Sequence, residues 1–330
     1  MKLNGMNVLV TGGAGFIGSH LVDLLAQTNS VTVVDDLSTG RAENLSGAMK
    51  TGKVCFNRLD LRKVGELEEL VRGIDVIFHL AVVCLRASIR RPELAHEVNA
   101  TATLNLLNLA RTAGIRRFIY CSSSEVYGTA RSVPMGEDHA LAPMTIYGAS
   151  KLAGEQYALS FQRTYGLPVV AVRPFNSYGP RAHYEGVRGE VIPRFIINAL
   201  SGRPLAVMGD GAQTRDFTYV TDVARGLALA AQCDALIGSA VNIAAGREIS
   251  VNEIAERVAA AVGVGVQIRH VEPRPGDVRR HWADISRAKE LLGYMPEVSF
   301  EEGLASTVDW LRRNVKDIEA EAQNMEERNW

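Results

Sequence analysis

A glycine-rich turn between an apolar strand and a helix limits this chain to a small group of folds. The run Val8-Leu9-Val10 reads as a buried strand. It leads into Gly12, Gly13, Gly15 and Gly18, after which residues 16–27 read as a helix with Ile17, Leu21, Leu24 and Leu25 on one side. Glycine permits a tight turn, lets a pyrophosphate approach the backbone and lets helix and strand pack closely. The helix N-terminus adds unpaired N–H groups and a favourable dipole end for phosphate. Two spacings fit: Gly13, Gly15 and Gly18 as G-x-G-x-x-G, and Gly12, Gly15 and Gly18 as the wider G-x-x-G-x-x-G. A second strand, 31–34, ends at Asp35-Asp36. A carboxylate there accepts hydrogen bonds from adenosine ribose hydroxyls and repels a 2′-phosphate, so NAD is expected over NADP. Asp35, the first residue beyond the strand, is the better candidate, and Arg41 leaves an opening for NADP.

Strand-like runs alternate with helical patterns through the first half. Strands are expected at 54–56, 76–80, 118–121 and 169–172, with helices near 64–71, 94–113 and 147–165. Near-continuous apolar strands alternating with helices imply an α/β fold, a Rossmann-type doubly wound parallel sheet covered on both faces. Beyond residue 174 polar, glycine-rich loops at 181–189 and 209–214 alternate with helices near 192–200, 221–231, 251–262 and 300–312. The pattern predicts a cofactor domain over 1–174 and a smaller, mainly substrate-binding lobe over 175–330. Within the latter, 217–245 is expected to return to the main sheet through 241–243. Residues 314–330 read as a surface helix or a frayed tail.

With 330 residues, 47% of them hydrophobic, the chain can bury a large core. Its net charge of −1, with both signs mixed along the sequence, points away from a nucleic-acid groove or a membrane surface. No apolar run is long enough to span a bilayer, and no secretory segment precedes the first strand. Cys55, Cys84, Cys121 and Cys233 are far apart and read as reduced thiols of a cytoplasmic protein, and no metal-ligand spacing occurs.

Tyr147 and Lys151 are four apart at the start of one helix and so share a face. An ammonium near a phenol favours the phenolate, which can take a proton from a sugar hydroxyl. The strand at 118–121 ends in Ser122-Ser123-Ser124-Glu125, at the carboxyl edge where ligands bind in such sheets. A serine hydroxyl there can hold a substrate hydroxyl and pass its proton to Tyr147.

Taken together, these features resemble the extended short-chain dehydrogenase/reductases that act as nucleotide-sugar epimerases and dehydratases, the UDP-glucose 4-epimerase type among them. The resemblance rests on T-G-G-x-G-F-I-G-S-H-L from Thr11, D-x-x-x-G from Asp36, D-L at Asp60, H-L-A at His79 and V-N at Val98. It continues with S-S-S-x-V-Y-G from Ser122, Y-x-x-S-K from Tyr147, R-P-F-N-x-Y-G-P-R from Arg173, G-D-G-x-Q-T-R-D-F-x-Y-V from Gly209 and R-P-G-D-V from Arg274. It implies Tyr147 as catalytic base, Lys151 as its electrostatic partner and ribose contact, Ser123 as the catalytic serine and Glu125 as a further catalytic carboxylate. It implies cofactor contacts at Gly12, Gly15, Phe16, Ile17, Gly18, Asp35, Asp36, Ser38, Thr39 and Gly40. Asp60, Leu61, Leu80, Ala81, Asn99 and Pro174 complete that set, with Tyr147 and Lys151. Substrate contacts fall on Ser124, Asn176, Val191, Arg215, Arg274 and Asp277, the arginines serving a nucleotide diphosphate. Arg181, His183, Arg188 and Glu190 are expected on the loop facing the sugar. A homodimer built on helices 94–113 and 147–165 is also implied.

The shared chemistry is hydride removal from sugar C4. Return of hydride to the other face makes a 4-epimerase, the leading expectation. Abstraction of H5 by Glu125 with loss of the 6-hydroxyl makes a 4,6-dehydratase, the alternative. Loss of carbon dioxide from a uronate makes a decarboxylase. A non-catalytic NAD-sensing regulator would be expected to lose Tyr147 or Lys151, and this chain keeps both. Fold analogy alone does not choose among these.

Overall fold

The computed structural model describes residues 1–274 and 276–325. Seven strands form the main sheet: β1 (Asn7–Thr11), β2 (Ser30–Asp35), β3 (Val54–Arg58), β4 (Val76–His79), β5 (Arg117–Cys121), β6 (Val169–Pro174) and β7 (Ala240–Ile243). Their order is β7-β6-β5-β4-β1-β2-β3, and every neighbouring pair is parallel. The chain runs outward from β1 through β2 to β3, then crosses back to β4 on the other side of β1. That reversal creates a crevice at the carboxyl ends of β1 and β4, where ligands bind in doubly wound sheets.

Every residue of β4, β5, β6 and β7 is buried, as a parallel sheet covered on both faces requires. Alternate residues of β1 serve opposite layers. Val8 and Val10 pack with Leu21 of helix Phe16–Leu25 and Leu227 of helix Val220–Gln232. Leu9 faces the layer formed by Leu67, Leu107 and Phe161, from helices Val64–Val71, Thr103–Ala113 and Ile146–Tyr165.

A separate core holds helices Val191–Leu200, Val251–Val262 and Phe300–Asn314 together through Phe195, Ile254, Phe300 and Leu304. It also covers the parallel pair Leu205–Met208 and Ile268–Val271. The chain then rejoins the main sheet, because Ala240–Ile243 pairs with β6. Within 217–245, however, Phe217–Tyr219 pairs with the short strand Asn176–Tyr178 and stays outside the main sheet.

The helix expected over 94–113 differs in detail. It comprises Pro92–His96, a π-helical turn Glu97–Ala102 and Thr103–Ala113. Within the wide turn, Asn99 Oδ1 accepts the Val83 N–H (2.8 Å), and its Nδ2 donates to the Val83 carbonyl (3.1 Å) and to Ser150 Oγ (2.9 Å). π-turns of this kind recur beside functional sites. Helix Ile146–Tyr165 starts where Thr145 Oγ1 accepts the Gly148 N–H (3.0 Å) and ends at left-handed Gly166. Of the expected tail, Ile318–Asn324 is helical, and residues 326–330 lie outside the described residues. No described helix is long and apolar enough to cross a membrane.

Candidate active site

One cavity of about 610 Å³ runs along the carboxyl edge of the sheet and under the second lobe. The glycine turn forms its start. Gly12 has φ +70°, and a Cβ there would lie 2.7 Å from the Ala81 nitrogen. A Cβ on Gly18 would overlap the Gly12 carbonyl, and one on Gly15 would come within 3.2 Å of that oxygen. Gly13 instead packs on the Val33 side chain. The wider spacing, Gly12-Gly15-Gly18, therefore describes the turn that opens to the cavity. Phe16 and Ile17 line it beside these glycines. Such a side-chain-free cradle at a helix N-terminus fits the pyrophosphate of NAD.

Asp35 closes β2. Its Oδ2 accepts the Ala14 N–H (3.0 Å) and its Oδ1 the Leu37 N–H (2.9 Å), which ties the glycine turn to the following loop. Burial pushes its carboxyl up, with those N–H groups opposing. Asp36, Ser38 and Thr39 line the cavity. Gly40 does not; it sits against the Asp35 carboxylate, where a Cβ would be 2.8 Å from Oδ1. Arg41 is also turned away: it pairs with Glu185 and donates to Tyr184 Oη (3.1 Å). That engagement occupies the cation in which the sequence left an opening for a 2′-phosphate. Asp60 and Leu61 line the far end, and the Arg62 hydrogen bond holds the Asp60 carboxyl down. Leu80, Ala81 and Pro174 form further wall. Asn99, like Gly40, is an expected cofactor contact that does not line the cavity. Its amide is spent on Val83 and Ser150, so it shapes the wall from behind.

Beyond β5 the chain turns sharply. Ser122 Oγ donates to Glu155 Oε2 (2.5 Å), and Ser123 Oγ accepts the Glu125 N–H (3.2 Å). Ser123 also lies beside the Tyr147 phenol, close enough to favour its ionised form. Gly148 lets helix Ile146–Tyr165 approach this turn, since a Cβ there would be 2.6 Å from the Glu125 carbonyl oxygen. Ser123, Ser124, Glu125, Tyr147 and Lys151 all face the cavity. Burial drives the Tyr147 phenol above its ordinary value, with the neighbouring Ser123 opposing. The lowering expected from Lys151 is thus not what dominates here. Lys151 is itself buried, which pushes its ammonium down to about 8, and it lies over the Tyr120 ring at 4.4 Å.

The second lobe supplies the other wall through Asn176, Val191, Arg215, Arg274 and Asp277. Asp277 Oδ1 accepts from Arg215 Nη2 (2.8 Å) and from Arg274, so one carboxylate orients two guanidinium groups. Burial pushes the Glu125 carboxyl up, while Arg215 and Arg274 pull it down.

Of the four residues expected on the sugar-facing loop, His183 and Glu190 line the cavity. Arg181 pairs with Asp23 at 2.7 Å, and Arg188, at the end of the turn Gly186–Arg188, is exposed and lies outside the cavity wall. Sequence reasoning missed Arg86, which also lines the cavity. The signal available was its place just beyond the carboxyl end of β4, where ligands meet such a sheet.

The family model for GDP-mannose 4,6 dehydratase matches residues 9–307. A UDP-glucose 4-epimerase of Mycolicibacterium smegmatis is 40% identical over 93% of this chain and 99% of its own length. A dTDP-glucose 4,6-dehydratase of Streptomyces venezuelae, solved with NAD bound, superposes with a TM-score of 0.89 at 36% identity, covering 94% of this chain and 98% of that one. A UDP-N-acetylglucosamine 4-epimerase of Methanobrevibacter ruminantium superposes equally well (TM-score 0.89, 36% identity, 94% and 99% coverage). The chain belongs to the extended short-chain dehydrogenase/reductase family of NAD-dependent enzymes that epimerise or dehydrate nucleotide sugars.

Proposed function

We propose that this enzyme is a UDP-sugar 4-epimerase. The observation that carries the C4-oxidation reading is the meeting of Ser123 and Tyr147, with Lys151 one turn along the same helix, in the cavity that also holds the glycine turn. Arg215 and Arg274, oriented by Asp277, hold the nucleotide diphosphate. Gly12, Gly15 and Gly18 hold the NAD pyrophosphate, and Asp35 and Asp36 its ribose. Bound NAD supplies a hydride acceptor at sugar C4. Tyr147 takes the C4 hydroxyl proton as the hydride leaves, with Ser123 beside it to hold the same hydroxyl. Lys151 keeps positive charge beside the phenolate. On hydride return to the opposite face, Tyr147 gives the proton back.

A second reading, 4,6-dehydratase, is favoured by one observation: Glu125 faces the same cavity with its carboxyl pushed up by burial. A carboxyl so tuned suits removal of H5. Incubation with a panel of UDP- and dTDP-sugars and mass analysis separates the readings. Unchanged mass with an inverted C4 supports the epimerase. Loss of water supports the dehydratase, and loss of carbon dioxide a decarboxylase.

The division of labour follows the sequence reading: 1–174 carries cofactor and chemistry, and 175–330 mainly holds the nucleotide sugar. A homodimer is part of this proposal, with its interface on helices Thr103–Ala113 and Ile146–Tyr165. Supporting it, Ile146, Tyr157 and Tyr165 leave apolar surface exposed on the second of these helices. A monomer in sedimentation at micromolar concentration would overturn it. A cytoplasmic setting fits the four unpaired cysteines.

A further inference from the structure

Several charged side chains of the cavity wall take no part in the chemistry above, Arg86 and Glu190 among them. Arg86 lies on helix Leu85–Arg90, just beyond the carboxyl end of β4. Its Nε is sealed from solvent and its Nη1 donates to the Arg188 carbonyl (3.4 Å), which leaves Nη2 as the uncommitted donor of the guanidinium. Glu190 comes from the other lobe, as the residue that opens helix Val191–Leu200. An Asp carboxylate at that position would turn back to accept an N–H from the second or third helical residue, whereas the longer Glu is not a usual cap. Here the third residue is Pro193, which has no N–H, and Glu190 makes no side-chain cap bond. Its carboxylate faces the cavity instead.

Arg86 and Glu190 attract each other through space, but no hydrogen bond joins them among the described residues. Their place along the cavity is the sugar end. Arg86 is within electrostatic reach of Cys84, Arg274 and Asp277, and Cys84 and Glu125 in turn reach Tyr147. Arg86 Nη2 and the Glu190 carboxylate make no hydrogen bond among the described residues, so a ligand in the cavity can engage both.

We infer that Arg86 and Glu190 form a clamp for an acylamino substituent on the sugar. A trans amide places its C=O and N–H on opposite sides. It can therefore accept from Arg86 on one wall while donating to Glu190 on the other. A single hydroxyl would have to bring both groups to one oxygen atom. A uronate carboxylate would satisfy Arg86 but set a second negative charge against Glu190. This assignment rests on the nucleotide-sugar reading of the cavity.

The test measures affinities of the NAD-loaded protein for UDP, UDP-N-acetylglucosamine, UDP-glucose and UDP-glucuronate by calorimetry, without reference to turnover. UDP-N-acetylglucosamine should bind at least about tenfold more tightly than the other two sugars. Arg86→Gln and Glu190→Gln should each bring that preference below about threefold while leaving UDP affinity unchanged, which also reports that the variants are folded. Equal binding of UDP-glucose, tighter binding of UDP-glucuronate, or retention of the preference in both variants would overturn the clamp. Failure of the C4 reading shows separately, as no Tyr147-dependent product from any sugar.

Discussion

Tyr120 holds Lys151 at both ends. Its ring centroid lies 4.4 Å from the Lys151 ammonium, and its hydroxyl donates to the Lys151 backbone carbonyl at 3.0 Å. Tyr120 is fully buried on β5, so the sheet itself fixes the height of the lysine beneath the cavity. An aromatic face offers a desolvated ammonium some of the stabilisation it loses from water.

Gly154 makes that contact possible. A Cβ there would overlap the Tyr120 hydroxyl and lie 2.7 Å from the Asn99 carbonyl oxygen. Gly154→Ala should push the helix off β5 at a cost of about 1–3 kcal/mol, the usual range for overpacking. Denaturant unfolding measures the loss, and kcat should fall with it because Lys151 moves.

Tyr147→Phe keeps the ring and its packing and removes only the ionisable oxygen. If Tyr147 carries the C4 proton, kcat should fall by about two to four orders of magnitude. UDP affinity should stay near that of the parent protein, since Arg215 and Arg274 are untouched. Ser123→Ala should show a smaller loss of the same kind. Near-full activity of Tyr147→Phe on the natural substrate would end the mechanistic assignment.

A buried network stands behind the serine turn. Arg173 donates to Glu155 through Nη2 (2.6 Å) and Nε (3.1 Å), and to Tyr127 Oη through Nη1 (2.7 Å), while Glu155 also accepts from Ser122. Arg173→Met leaves a carboxylate buried without its partner and should cost about 3–5 kcal/mol in urea unfolding. The double variant with Glu155→Gln should recover part of that loss, because the stranded charge is gone.

Glu190 gives a pH signature. Burial pushes its carboxyl up to about 7, with Arg86 opposing. The unfolded chain releases this proton near its ordinary value of 4.5. Between those values the folded protein binds more protons, so the group's contribution to stability, present in full below pH 4.5, is lost as pH rises to 7. Glu190→Gln removes the loss. Its stability relative to the parent should therefore rise by on the order of 1–3 kcal/mol from pH 4.5 to 7 and then level off. Asp216, also pushed up to about 7, is present in both proteins and cancels in the comparison. A difference that does not change with pH in parallel thermal melts would refute this.

The sequence by itself determined the parts that depend on short range. Glycines at 12, 13, 15 and 18 between a strand and a helix predict a phosphate-binding turn, apolar strands without alternation require a sheet covered on both faces, and Tyr147 and Lys151 share a helix face by spacing alone. The expected strands and most of the expected helices follow from that periodicity.

Tertiary structure decided whatever depends on which distant groups meet. Asn99 and Gly40 sit within sequence motifs that also carry cavity residues, yet one is spent on Val83 and the other packs against Asp35. Arg41 and Arg181 read as loop cations but are consumed by Glu185 and Asp23 from other parts of the chain. Arg86 carries no motif, and faces the cavity only because the crossover after β4 places its helix there. The balance of charge and burial at Tyr147 is likewise a property of the assembled cavity. Desolvation depends on every element packed around a group, whereas spacing along a helix depends on the backbone alone.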